Sequence, residues 1–494
     1  MAYLYKTIIV WLRNDLRLSD NETLFRACQD AQFVLPVYCF DKRQFEKTQF
    51  GFDKTGNFRL QFLLQSLKDL QYRLREIGGD LLVYHGLPED ILYSLAKYYN
   101  AEAIYCQQEA TAEEIEVEDL LISRLHIMDS ECCFFWGHTL FHYDDLPFDG
   151  IDNMPDALAQ FSDALRQQAN PRPLMPALQM MTLPPNFLPQ TTWPNVPQIN
   201  PNNVYPPKPA YAPARAGFSF VGGETNGLLR LKRYLWEADE TAEYTHAQHK
   251  LLSADASSRL SPWLALGALS PRFVYAETIR HQEEKGHNDK AQHLIAALLK
   301  RDFFRFYAMK HGNSLFKIGQ QGQSNHYADR KPATDTLIFE KWATGNTGIP
   351  FVDANVRELN ATGYISDEGR WAVAVFLLKY MGIDGQWGAE YFESMLLDYD
   401  VCSNYGNWKR VAEMCSNAAA AAADIDTDIL VYARKYDPYG DYIKQWCPEL
   451  KKLPSTRIHQ PYLLSEAEQQ YVGVIIGRHY PAPCVALQHK ANEQ

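Results

Sequence analysis

Nine cysteines are scattered through 494 residues without one C-x-x-C, and only Cys132 and Cys133 are neighbours. This spacing argues against a zinc site and against a disulfide framework, and for a reducing compartment. No metal is expected, and a cytoplasmic location is. Basic residues are also in deficit, 48 Lys and Arg against 60 Asp and Glu, giving a net charge of −12. Long-range attraction to nucleic acid is therefore not favoured overall, although a local basic patch remains compatible with it. No apolar run is long enough to span a membrane. The opening MAYLYKTIIVWLRNDLRL lacks the apolar core and small-residue cleavage site of a signal peptide. G-x-G-x-x-G is absent after the first apolar run, so dinucleotide binding there is unsupported.

What is present is length, apolar content and rings. Hydrophobic residues make up 46% and aromatics 13%, with ten Trp and 29 Tyr. That composition suits large cores and ring-shaped ligands alike. The first 130 residues alternate. Thr7–Leu12, Phe33–Phe40, Asp80–Gly86 and Ala101–Gln107 read as buried strands, with amphipathic helices such as FRLQFLLQSLKDLQYRLREIGG between them. The expected fold is an α/β N-terminal domain, a doubly wound parallel sheet, over residues 1–130. Thirteen prolines between Pro171 and Pro213 mark residues 131–212 as an extended connector. Residues 213–465 read as a large all-α domain and 466–494 as a short tail. The alanine run Ala418–Ala423 reads as an insertion or a short helix.

Four segments of the helical part carry chemistry. Asp255–Pro271 places Ser257, Ser258 and Ser261 around Arg259 before an apolar helix, which suits an anion or, more plainly, helix capping. In KRDFFRFY, Arg301 and Arg305 lie four apart on one helix face. Thr362–Arg370 is a turn into a helix, with Arg370 free to pair a carboxylate. DYDVCSNYGNW, Asp398–Trp408, concentrates two carboxylates, an amide and an indole within eleven residues.

Together these segments resemble the flavin-binding half of the cryptochrome/photolyase family. Trp11–Leu24 is similar to its first strand and helix, and Thr347–Ser366 and Trp387–Trp408 are long, specific matches. Asp53–Leu64 resembles the DASH branch most closely. The resemblance implies a U-shaped FAD in the helical domain. Asp398 and Asp400 match the acidic pair at the flavin and ribityl chain, where a carboxylate accepts from the ring N3–H. Asn404 matches the residue facing flavin N5, and Arg370 an Arg pairing the first Asp. Tyr244, Ser257, Ser258, Leu260 and Ser261 match the pyrophosphate side, and Arg301 the Arg beside the cofactor. Trp408 matches the electron donor nearest the ring. Gln107–Leu121 resembles the segment in which a Glu binds an antenna, 5,10-methenyltetrahydrofolate. Glu109 is the residue so placed, the alternative being a solvated acidic helix start.

The departures from the family concern the lesion face and the electron route. Ala297 and Lys300 stand where repair enzymes carry Glu and Trp, and Asp367-Glu368 where Asn-Arg is usual. Trp371 replaces Met or Gln, and Arg410 an aromatic. The local charge is thus expected to oppose a nucleic-acid backbone. Of three expected tryptophans, the middle one is Gly385, and His326 and Tyr327 occupy the outer region. Electrons then pass through Trp387, Tyr391 or Tyr380, or the usual photoreduction is impaired.

Three functions remain open on the sequence. One is a blue-light-responsive DASH-type flavoprotein with a diverged lesion pocket, a photoreceptor or specialised repair protein. The second is a deoxyribodipyrimidine photo-lyase, a carbon–carbon lyase splitting cyclobutane dimers, including in single-stranded DNA. The third is a flavin-binding structural or RNA-interacting protein. A monomer is expected, with no membrane association, weak or single-strand-selective contact with DNA, and no specified signalling partner.

Overall fold

A computed structural model describes residues 3–190, 192–193, 197, 218–237, 251–253, 255–318, 332–416 and 427–487. The apolar runs of the N-terminal part form five parallel strands: β1 (Tyr5–Leu12), β2 (Ala31–Asp41), β3 (Leu82–Gly86), β4 (Ala103–Gln107) and β5 (Glu131–Phe135). Their order is β3-β2-β1-β4-β5. β1 is central, and six of its eight residues are buried, as a strand covered on both faces requires. One sheet face packs with Leu92, Leu121 and Leu125. The other joins a core that runs on into the helical half. The strand order reverses beside β1, and the chain leaving β1 there carries Arg13, Asn14 and Arg17 to the domain boundary.

Two expected boundaries shift. β5 lies within the presumed connector, so the α/β unit extends past residue 130, and Leu158–Gln168 is a helix inside that connector. The proline count hid both, because the dense run of prolines starts only at Pro171, past both elements. Residues 466–487 are not a separate tail. Ser465 caps the Glu466–Val472 helix with a capping box, and Tyr480 is buried with its hydroxyl on Asp353. The alanine run lies outside the described residues.

The two halves are joined by buried polar contacts. Glu224 accepts from the backbone N–H groups of Leu18 (2.7 Å) and Ser19 (3.0 Å). Arg272 forks onto Asp20 at 3.0 and 2.7 Å, and Asp302 accepts from Leu140 and Phe141 N–H at 3.0 Å each. Such pairs are geometrically demanding, so they fix the angle between the halves. No helix among the described residues is long and apolar enough to cross a membrane.

Candidate cofactor site

A cavity of about 300 Å³ opens in the helical half, at the lower end of the range for ring-sized ligands. Three helices supply most of its lining. Ser366 caps the Asp367–Val375 helix by accepting from Gly369 N–H at 3.0 Å, which places Arg370 in its first turn. The Val401–Ser416 helix contributes Ser403, Asn404, Asn407, Trp408, Arg410 and Val411. The Asp289–His311 helix, capped by Asn288, contributes Lys300.

The deep wall is built from paired charges. Arg370 Nη2 donates to Asp398 Oδ2 at 2.7 Å, and Ser261 Oγ donates to the same oxygen at 2.6 Å. Asp398 Oδ1 is buried with no hydrogen-bond partner among the described residues. A buried carboxylate oxygen without a donor is costly, and the side chain that carries it lines the cavity, so an imide N–H could satisfy it. Asp400 is met by Arg305 and by Ser403 N–H at 2.8 Å. Burial alone would raise its pKa, but the guanidinium groups of Arg305 and Arg301 and the Ser403 bonds hold it down at about 2. Asn404 Nδ2 donates to Ala389 O at 3.0 Å, which fixes the amide plane on the cavity wall. Trp408 is 2% exposed. Its ring lies over Gly388, where any Cβ would run into it.

Arg305 is the residue whose importance the sequence understated. It bridges Asp400 to Glu109 of the N-terminal half, 3.1 Å away, while Arg301 donates to the backbone carbonyls of His138 and Leu264. One helical turn separates the two arginines, and only the packing decides which meets the carboxylate. Glu109 also accepts from Asn14 Nδ2 at 2.9 Å, and His138 Nε2 sits 3.1 Å from it without hydrogen-bond alignment. Burial pushes the His138 pKa down to about 4, so that ring is neutral at ordinary pH. Burial opposes ionisation of Glu109, while the guanidinium groups of Arg13 and Arg305 favour it.

The structure thus gathers Arg370, Asp398, Asp400, Asn404 and Trp408 on one cavity, with Ser261 holding Asp398. Ser257, Ser258, Leu260 and Arg301 do not line it. The Ser257 and Ser258 carbonyls accept from Arg230 at 2.7 and 2.8 Å, which pins that segment. Tyr244 lies outside the described residues, as do His326 and Tyr327.

The mouth differs from the expected charge pattern. Lys300 Nζ donates to Asp367 Oδ2 at 3.1 Å, and Arg410 and Lys435 line the same opening. Lys300 lowers the Asp367 pKa, with Arg370 and Arg410 adding to the effect. The opening is therefore locally basic, not opposed to a polyanion. The expectation failed because Lys435 comes from the Ile429–Tyr436 helix, remote in sequence from the segments compared. Trp371, Tyr432 and Tyr436 add rings to the rim. At Gly385, the position the resemblance gives to a middle tryptophan, an added Cβ would collide with Ile318.

Comparison with known proteins agrees with this geometry. Residues 8–180 match the DNA photolyase domain family, and residues 294–494 match the FAD binding domain of DNA photolyase. A cryptochrome DASH of Synechocystis is 44% identical over 98% of this chain and 96% of its own length. One from Danio rerio is 38% identical over 97% and 90%. The crystal structure of the Synechocystis cryptochrome superposes with a TM-score of 0.87, covering 98% of both chains. A class III photolyase from Agrobacterium tumefaciens, 26% identical, gives 0.78 over 98% and 95%. On these matches, over almost the whole chain, the chain belongs to the cryptochrome/photolyase family and resembles its DASH cryptochromes.

Proposed function

We propose that this protein is a FAD-dependent, blue-light-responsive flavoprotein in which Trp408 passes an electron to the flavin and Asp398, Asp400 and Asn404 hold the ring. The observation that carries the reading is Asp398, a residue lining the cavity: one oxygen is locked by Arg370 and Ser261, and the other is buried without a partner among the described residues. A flavin imide N–H is the donor it lacks. When bound, FAD supplies blue-light absorption and one-electron chemistry. The chain's own residues orient it, exclude water from Trp408, and hold the local charge with Arg370 and Arg305. The test is spectroscopic. The purified protein should be yellow and bleach under blue light with a thiol present. Asp398→Ala should lose the colour, and Trp408→Phe should keep the colour but slow the bleaching. A colourless protein, or full binding by Asp398→Ala, would sink the reading.

Within it, a photoreceptor role fits the changed mouth best, because Lys300 and Asp367 are spent on each other where repair enzymes contact a dimer. A second reading, repair of cyclobutane dimers in single-stranded DNA, has the rim in its favour. Trp371, Tyr432 and Tyr436 beside Lys435 and Arg410 suit a flipped, stacked base next to a phosphate. Illumination with a dimer-bearing oligonucleotide separates the two. Loss of dimers supports repair, and bleaching without loss supports a receptor. Ala297→Glu with Glu368→Arg should raise affinity for such a strand if this rim is the lesion face.

A folate antenna at Glu109 would need to displace contacts already made. The carboxylate is met by Asn14 and Arg305, so a pterin's donors would replace Asn14 there. Unchanged folate content in Glu109→Gln would remove Glu109 from that role.

A further inference from the structure

A different line of rings leads away from Trp408, beside the closed Gly385 position. Trp408 meets Phe392 edge-on with ring centres 5.2 Å apart. Phe392 lies nearly parallel to Trp342 at 6.4 Å. Trp342 meets Phe339 at 5.3 Å, and Phe339 meets Trp387 at 5.0 Å. Trp387 is half-buried and stacks on Phe50 of the N-terminal half at 4.5 Å.

We infer that Trp342 and Trp387 refill Trp408 with electrons, replacing the route that Gly385 closes. This rests on the flavoprotein reading above. Phenyl rings are too hard to oxidise to hold the charge, so Phe392 and Phe339 act as the packed medium between oxidisable indoles. One electron leaves the Trp408 indole for the photoexcited oxidised flavin. Trp342 supplies Trp408, Trp387 supplies Trp342, and a thiol in solution supplies Trp387. The net change is one electron from thiol to flavin. The resulting thiyl radicals couple to disulfide, with loss of the thiol proton.

Burial gives the chain its direction. Trp408 and Trp342 are 2% and 0% exposed, whereas Trp387 reaches water, and a cation is more stable where it is hydrated. The Trp342 indole N–H donates to Val373 O at 3.0 Å. A carbonyl does not remove the proton, so the positive charge on that ring stays mobile. Tyr391 touches Trp342 at 5.4 Å and Phe339 at 5.9 Å, and offers a side branch. Its hydroxyl lies 2.6 Å from Asn360 Oδ1 and 2.8 Å from Ala343 O. Both are neutral acceptors, and an oxidised phenol must shed its proton, so the charge does not settle there.

The test follows indole radicals in the flavin-loaded protein by transient absorption. Tryptophan oxidation is then mapped by mass spectrometry after steady illumination in air. The unaltered protein should give a long-lived radical and oxidation at Trp387. Trp342→Phe, which keeps a ring in place, and Trp387→Phe should each lose the long-lived radical while retaining flavin, and Trp387→Phe should also keep its thermal stability. If Trp342→Phe does not fold, Trp387→Phe alone decides. A bound flavin with a radical unaffected by Trp387→Phe, or oxidation mapped to a different tryptophan, overturns the route alone. A protein without flavin overturns the underlying reading and the route together.

Discussion

The deep wall and the mouth of the cavity come from the same helices yet obey different rules. Asp367 at the mouth lies three positions before Arg370 on the wall, and Trp408 two positions before Arg410. On the wall the carboxylates are buried and each meets a guanidinium: Asp398 meets Arg370, and Asp400 and Glu109 meet Arg305. At the mouth, Asp367 is 74% exposed in its side chain and its bond to Lys300 is screened by water. A change on the wall leaves a charge stranded, whereas a change at the mouth costs little.

The contrast is sharpest at Arg305. Arg305→Ala strands two buried carboxylates and should cost about 3–5 kcal/mol, read as a large fall in melting temperature with loss of flavin. A fall no larger than that of a surface variant would break the comparison. Next, Gly388→Ala pushes a methyl into the Trp408 ring and should cost about 1–3 kcal/mol, with altered tryptophan fluorescence. Acid acts on the wall through Asp400, whose pKa lies near 2 against an ordinary 3.8. A depressed carboxylate stabilises the fold above its unfolded pKa and loses that contribution as pH falls from about 4 to 2. The loss should be about 2 kcal/mol, and Asp400→Asn should flatten it in acid titrations of stability. The smallest effect belongs to the mouth: Lys300→Ala should change stability by less than about 1 kcal/mol, and a double-mutant cycle with Asp367 measures the pair. A coupling as large as that of Arg305 with Asp400 would erase the distinction between the two regions.

Much of this was legible in the chain. Apolar runs alternating with amphipathic helices implied the parallel sheet, because period and β-branching report burial directly. β5 was missed: ECCFF at Glu131–Phe135 is short and only half-buried on the sheet edge, so its pattern is weak. Asp398, Asp400, Asn404 and Trp408 were recognisable because they sit within eleven residues. Arg305 and Lys435 were not assigned to the site, since nothing local distinguishes a site cation from a surface one.

The sequence by itself determined the fold class, the family and the residue types lining the cavity, because these depend on local periodicity and contiguous motifs. Tertiary structure alone decided that Arg305 rather than Arg301 meets Asp400, that the mouth is basic, and that Trp408 connects through Trp342 to Trp387. The physical reason is distance along the chain. Ion pairing and ring contact depend on ångströms in space, and residues more than sixty positions apart become neighbours only after the helices pack.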